Sequence, residues 1–210
     1  MICLDPAWRL SNDPMPKLWN NTIEARRDAV ANTIVNKTAE LAAVEGLHNL
    51  TMARIAKETG IGRATLYKYF SEVEQILVAW HAREVSSHLA ALEQARAKGA
   101  SSLAALKAVL LAYAENARSG HGHAFGALLH SMPHARHAYA RVEAMVAELI
   151  AEAMKAGEIE DASPAAELAR YALAAIAAAQ QARSKPKLER LLRMILRGLG
   201  SRSDSQSASR

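Results

Sequence analysis

Cysteine is almost absent, Cys3 being the only one in 210 residues. A single thiol excludes an intrachain disulfide framework and a thiolate cluster for zinc, and it suits a reducing, cytoplasmic setting. Long apolar runs are missing as well. The longest uncharged helical stretch, Tyr171 to Ala182, is too short and too rich in alanine to span a bilayer, so no membrane partner is expected. Asp5, Asp13, Pro6, Pro14 and Pro16 break up the first twenty residues, which leaves no apolar segment of the secretory kind. Aromatic residues make up only 5% of the chain, too few for a large aromatic cage around a flat cationic ligand. Convincing alternating patterns are lacking, so strands are not expected. Nucleophile elbow, phosphate loop and His-Glu-x-x-His are absent too, which argues against an enzyme and against a bound cofactor.

What is present is alanine and helical periodicity. Half of the residues are hydrophobic, and their spacing predicts an all-α fold. The formal charge is +5, which by itself invites a nucleic-acid reading. Eight Lys and Arg against Glu189 and Asp204 give residues 182 to 210 a net +6, however, so the preceding 181 residues carry −1. The basic excess sits on the last helix and the tail. Local pattern must carry any argument for DNA.

That pattern is residues 51 to 70, TMARIAKETGIGRATLYKYF. Thr51 suits the N-cap of a short helix with Ile55 and Ala56 inward. Gly60 permits the left-handed backbone of a tight turn, and Ile61 fills the corner. A second helix is expected from Arg63 to Phe70, with Leu66 and Phe70 inward. Its other face offers Ala64, Thr65, Lys68 and Tyr69, flanked by Arg63 and Tyr67. Small residues there admit a close backbone, and hydroxyls and cations reach phosphates and base edges in a major groove. A glycine between two amphipathic helices is common in proteins that never touch DNA. An acid-free stretch from Gly60 to Tyr69 with two cations and two tyrosines is not explained that way.

Upstream, a helix from about Thr22 to Glu45 carries Val30, Ile34, Leu41 and Val44 on one stripe and stops at Gly46. Downstream, helical spacing runs from Ser71 to Ala97, with Ser71 and Glu74 as a capping box, and stops at Lys98-Gly99. Further helices are expected from Ser101 or Ser102 to near Gly120, around Phe125 to Ser131, from Pro133 to Ala156, from Ala165 to Gln181 and from Pro186 to Leu199. The resulting organisation is a flexible lead over 1–19, a helix-turn-helix domain over 20–70, a second helical domain over 71–199 and a disordered tail over 200–210.

Thr51 to Phe70 resembles the signature of the TetR family of dimeric bacterial transcriptional regulators, and about fifty residues share the likeness. The resemblance implies a fold with an N-terminal three-helix helix-turn-helix DNA-binding domain and a C-terminal helical domain for ligand binding and dimerisation. It implies Thr51, Arg63, Thr65, Tyr67, Lys68 and Tyr69 as DNA contacts, with Ala64 close to the bases. Two departures stand out: Gly62 where many members have Ser, and Ser71, Glu72 and Val73 where many have lysines. Phosphate anchoring then falls more on Arg63, Lys68 and first-helix residues such as Arg26 and Arg27.

The alanine-rich helix and the leucine-rich one after it suit either an intrachain core or, as the resemblance implies, a homodimer through residues 163–199. A two-fold pair would read a palindromic operator in double-stranded DNA. The resemblance also implies a small-molecule effector in a cavity framed by the helices from Ser71 to Ala156, with repression favoured over activation. Candidate wall residues are Trp80, His81, His88, Tyr113, Phe125, His130 and Tyr139, each of a type that also fits core or surface. Histidines 121, 123, 130, 134 and 137 crowd together, which leaves open a metal-responsive regulator of the same fold. Pro133 interrupts their regularity and no Cys or carboxylate lies among them, so no metal ligand is assigned. The rival from another class is a helical protein-protein interaction module that does not bind DNA.

Overall fold

A computed structural model describes residues 17–119, 133–179 and 184–201. Phe125 and His130, together with the expected short helix around them, lie outside the described residues, as do His121 and His123. Among the described residues the fold is all-α: α1 (Lys17–Glu45), a 3-10 turn (Leu47–Asn49), α2 (Met52–Thr59), α3 (Arg63–Tyr69), α4 (Val73–Ala97), α5 (Ser102–Ser119), α6 (Pro133–Lys155), α7 (Ala165–Ala179) and α8 (Lys185–Gly198). The chain divides into two compact units between Leu77 and Val78, inside α4.

In the first unit α1 packs on α2, and α2 on α3. The buried stripe of α1 is Ile34, Val35, Thr38 and Leu41. Thr38 buries its hydroxyl without penalty because Oγ1 donates to the Ile34 carbonyl at 2.8 Å. Val44 does not belong to this stripe, being 85% exposed. It lies about 60° around the helix from Leu41 on the side away from Ile34, so the 3.6-residue repeat carries it off the buried face.

The seam between α1 and α2 is closed by charge. Arg54 donates through Nη2 to Glu45 Oε1 at 2.7 Å, and its Nη1 meets Glu58 Oε1 at 2.8 Å. One guanidinium thus ties the last residue of α1 to both a point and a turn within α2. The Arg54 hydrogen bond holds the Glu45 carboxyl below the usual carboxylate range.

α4 begins at Val73, and the capping box of Ser71 with Glu74 is not formed. Gln75 instead accepts the Ser71 N–H through Oε1 at 3.1 Å. Starting the helix two residues later puts Gln75 in the third helical position, from which a side chain reaches back over the first turn.

The second unit is built around α5, which touches α6, α7 and α8. Leu106, Val109, Leu110 and Ala114 from α5 meet Val146, Leu149 and Ile150 from α6, Ala172, Leu173 and Ile176 from α7 and Leu188 and Leu192 from α8, in one continuous core. Alanines at 169 and 172 have no exposed surface, which shows why α7 is alanine-rich: small side chains let it lie close to its neighbours. Pro133 opens α6 where its missing N–H costs nothing. Before α7, Asp161 Oδ1 accepts the Ser163 N–H at 2.7 Å, which sets the turn that leads into the helix. After α8, Glu160 N–H donates to the Gly200 carbonyl at 3.0 Å, so the chain is still held at Gly200.

Two outcomes are expected. Leu110→Ala, at a position with no exposure, should cost about 2–5 kcal/mol in a denaturant titration because α5 cannot collapse onto the cavity from all sides. For Glu45 the depressed folded-state carboxyl stabilises the fold above the unfolded-state value, and that contribution is lost as pH falls through the folded one. Acid unfolding followed below about pH 4.3 should therefore be shallower in Glu45→Gln than in the parent chain.

Candidate nucleic-acid interface

The turn between α2 and α3 is fixed from three sides. Gly60 sits at φ 69°, ψ 10°, the left-handed region in which a side chain would be strained. Thr59 Oγ1 donates to the Ile55 carbonyl at 2.8 Å and accepts the Ile61 N–H at 3.4 Å, so the two residues flanking the glycine are linked. The Gly62 carbonyl then accepts from both Thr65 and Leu66 at 2.9 Å, which starts α3 without a side-chain cap. At the other end of α2, Thr51 Oγ1 accepts the Arg54 N–H at 3.1 Å.

α3 has seven residues and only Leu66 is buried, with no exposed surface. At about 100° per residue, Ala64 and Lys68 fall opposite Leu66, and Thr65 and Tyr67 fall to either side. All four are exposed, Tyr67 by 55%. Arg63, at the open first turn, is exposed as well. Tyr69 is half-buried, not fully outward: it lies about 60° from Leu66, on the last turn where α3 meets the rest of the unit. Phe70 terminates the helix as its C-cap and is half-buried, with its N–H donating to the Leu66 carbonyl at 3.0 Å. Arg26 and Arg27 on α1 are exposed. Arg63 and Lys68 make no ion pair among the described residues, whereas Arg54, three residues after Thr51, is committed to Glu45 and Glu58. The surface therefore presents hydroxyls, phenols and two unneutralised cations on a helix that is too short to bury them.

The residues assigned to an effector wall are partly brought together in the second unit. His81 is 8% exposed on α4, and its Nδ1 lies 2.7 Å from Nε2 of His134 near the start of α6. His88 is half-buried, and its carbonyl accepts from Asn116 Nδ2 on α5 at 3.5 Å. Burial pushes the Tyr113 hydroxyl above the usual phenol range, and the phenol of Tyr139 adds to the shift, which places these two near one another. Tyr139 is otherwise 47% exposed, and Trp80 is half-buried. His134 was missed as a partner of His81 because 53 residues separate them and no helical repeat links such positions. Among the described residues no group of three or more His, Cys, Asp or Glu could hold a metal ion, and no helix is long and apolar enough to cross a membrane.

Residues 34–79 match the family model described as bacterial regulatory proteins, tetR family. Over 71 residues the chain is 35% identical to an uncharacterized HTH-type transcriptional regulator of Haemophilus influenzae, a match covering 34% of this chain and 37% of that protein. The chain thus spans little more than a third of that relative. Solved structures extend the likeness in fold. A transcriptional regulator of the TetR/AcrR family from Thermobifida fusca superposes with a TM-score of 0.69 at 18% identity, over 80% of this chain and 97% of that one. The transcriptional regulator FadR from Bacillus subtilis, in complex with stearoyl-CoA, does so with a TM-score of 0.60 at 19% identity, over 80% and 97%. All three are named as transcriptional regulators. With Gly60 turning the chain, Leu66 buried and residues 34–79 on the family pattern, the helix-turn-helix of this chain is similar to that of the TetR family.

Proposed function

We propose that this chain is a cytoplasmic, sequence-specific DNA-binding regulator that acts as a homodimeric repressor and is released from its operator by a small-molecule effector. The observation that carries the reading is α3, whose single buried residue leaves Arg63, Ala64, Thr65, Tyr67 and Lys68 facing outward. Tyr69, half-buried, contributes its edge, and Thr51 joins them as an exposed hydroxyl at the start of α2. Arg63 and Lys68 meet phosphates, while Ala64, Thr65 and Tyr67 approach base edges. The working division is a DNA-binding domain over 20–70 and an effector and dimerisation domain over 71–199.

One recognition helix reads too few base pairs for tight binding, so a second copy is required, and the operator is then palindromic. The face for that copy is the outer side of α7 and α8, within 163–199. Tyr171 and Met194 are 47% and 59% exposed there, beside exposed Ala174, Ala177 and Gly198. The hydroxyl of Tyr171 would lie 2.6 Å from a Cβ at Gly198, so the glycine makes room for the ring between the two helices. Small residues and two large apolar ones on a shared face suit close packing against an identical surface.

The effector site lies in the second unit, where Trp80, His81 and His88 of α4 accompany Tyr113 of α5 and Tyr139 of α6. The fold neighbour from Bacillus subtilis holds stearoyl-CoA, which supports a ligand-binding role for a domain of this layout. An effector that tilts α4 alters the separation of the two recognition helices, and the operator contacts weaken together. It does so by binding the DNA-incompetent form more tightly, by a coupling of about 1–3 kcal/mol.

Footprinting across the DNA that flanks the coding region should locate an inverted repeat protected by the purified chain. On that duplex Tyr67→Ala should weaken specific binding by about 1–3 kcal/mol. Lys68→Ala should weaken all sequences alike and reduce the slope of log affinity against log salt by about one. Ala174→Glu, on the proposed dimer face, should yield monomers by sedimentation and abolish the protection. Unchanged affinity in Tyr67→Ala and Lys68→Ala would transfer the chain to the protein-interaction class.

A further inference from the structure

α4 is attached to the second unit in two different ways along its length. Its later turns contribute Leu89, Leu92 and Ala95 to the apolar core. Its earlier part is joined at His81, where Nδ1 meets His134 Nε2 at 2.7 Å. The ring centroids are 5.0 Å apart and the planes cross at 64°. Only the two ring radii make up the difference between those distances, so the facing nitrogens lie close to the line joining the rings. Head-on nitrogens share one proton, as N–H on one ring and lone pair on the other. If both facing nitrogens carry protons, two N–H groups confront each other at hydrogen-bond distance and the contact cannot persist.

Two features of the surroundings bear on charge at the contact. His81 is 8% exposed, so charge there is poorly hydrated. His134 is the second residue of α6, where the helix dipole presents its positive end. The titratable and charged groups on the neighbouring turns are Arg83, Glu84 and His88 on α4 and Arg136 and His137 on α6, with Tyr113 and Glu115 on α5. Glu84 and Glu115 favour positive charge there, and Arg83 and Arg136 oppose it.

We propose that His81 and His134 form a proton-sensitive latch between α4 and α6, closed while one proton is shared and opened when both facing nitrogens are protonated. This rests on the regulator reading above and adds a second input to it: acidification breaks this tie between α4 and α6 and thereby lowers operator affinity. Two protons are taken up from water: the first settles on an outer ring nitrogen and leaves the shared N–H···N hydrogen bond in place, and the second puts N–H on both facing nitrogens and replaces that bond.

The test uses the full chain in three arms. Nitrogen NMR of the imidazoles at about pH 7.5 should show one facing nitrogen protonated and the other bare, and both protonated at about pH 5. In a Trp8→Phe, Trp19→Phe background, leaving Trp80 as the sole tryptophan beside the latch, fluorescence should change over the same interval. Operator affinity should fall at least about fivefold more in the parent chain than in His81→Gln/His134→Gln over that interval. His88 and His137 are present in both proteins, so the difference isolates the pair. A milder His134→Asn variant, which keeps a polar group at the start of α6, serves if the double variant does not fold. Both facing nitrogens protonated at about pH 7.5, or the same pH course in parent and variant, would overturn the latch. Absence of any operator with the NMR and fluorescence signatures intact would sink the regulator reading and the lowered operator affinity with it, while leaving the proton switch standing.

Discussion

The burial of Leu66 is the constraint on which the outward surface of α3 depends. A helix of seven residues completes about two turns and can be rotated by very little packing. With one side chain buried, the phase of the whole element is set by that side chain, and the directions of Ala64, Thr65, Tyr67 and Lys68 follow. The same constraint explains Tyr69. Its position about 60° from Leu66 makes it part edge and part surface, so it braces the helix as well as extending from it. A second apolar residue within α3 would fix the rotation more firmly but would remove one of the outward groups. Phe70 resolves that conflict by lying just beyond the helix, where it is half-buried without using a helical position.

Holding so short a helix falls to its neighbours. Arg54 closes the α1–α2 seam, Gly60 sets the corner and Thr59 links the residues on either side of it. These are local devices, of which only the Gly60 corner is read from the sequence, together with the elements it joins. Thr51 caps α2, Ile55 and Ala56 point inward, and Gly60 adopts the left-handed backbone, because each depends on residues within a turn or two of itself. Periodicity failed where a helix end or a long-range neighbour decided the matter. Val44 has the right residue type and sits at the end of α1, yet the repeat has already carried it off the buried face. Gln75 displaced Glu74 because the helix starts two residues later than Ser71 suggests. The contact of His81 with His134 was beyond reach because it depends on how two helices 53 positions apart are placed, which no local pattern encodes.

The alanine-rich region shows a different limit. Composition alone left α7 and α8 open between an intrachain core and an interface between copies. In the fold both uses are compatible, since the helices have two faces. Leu168, Ala169, Ala172, Leu173 and Ile176 turn inward from α7, while Tyr171, Ala174 and Ala177 remain outside. On α8, Leu188, Leu192, Ile195 and Leu196 are inward and Met194 is outward. A helix with alanine on both sides can approach two neighbours closely, and the exposed face then retains apolar character without large side chains. That combination is unusual for a surface meant only for water, where charged residues normally occupy the outer positions.

α4 joins these considerations because its attachment changes along its length. From Leu89 onward it is held by apolar burial, with Arg96 reaching Glu148 on α6 at 2.9 Å as a surface addition. At His81 and His88 it is held by hydrogen bonds to α6 and α5. Apolar burial scales with area and changes little when one contact shifts, whereas a hydrogen bond is lost over a fraction of an ångström. Within the second unit α4 is therefore anchored by apolar burial at its far end, with the polar tie at His81 nearer its start. A net hydrogen bond is worth about 0.5–1.5 kcal/mol, and typical coupling between effector and operator is about 1–3 kcal/mol. The loss of one or two polar ties on α4 is thus of the right size to shift such an equilibrium, while the apolar core that holds its other end would need far more to move.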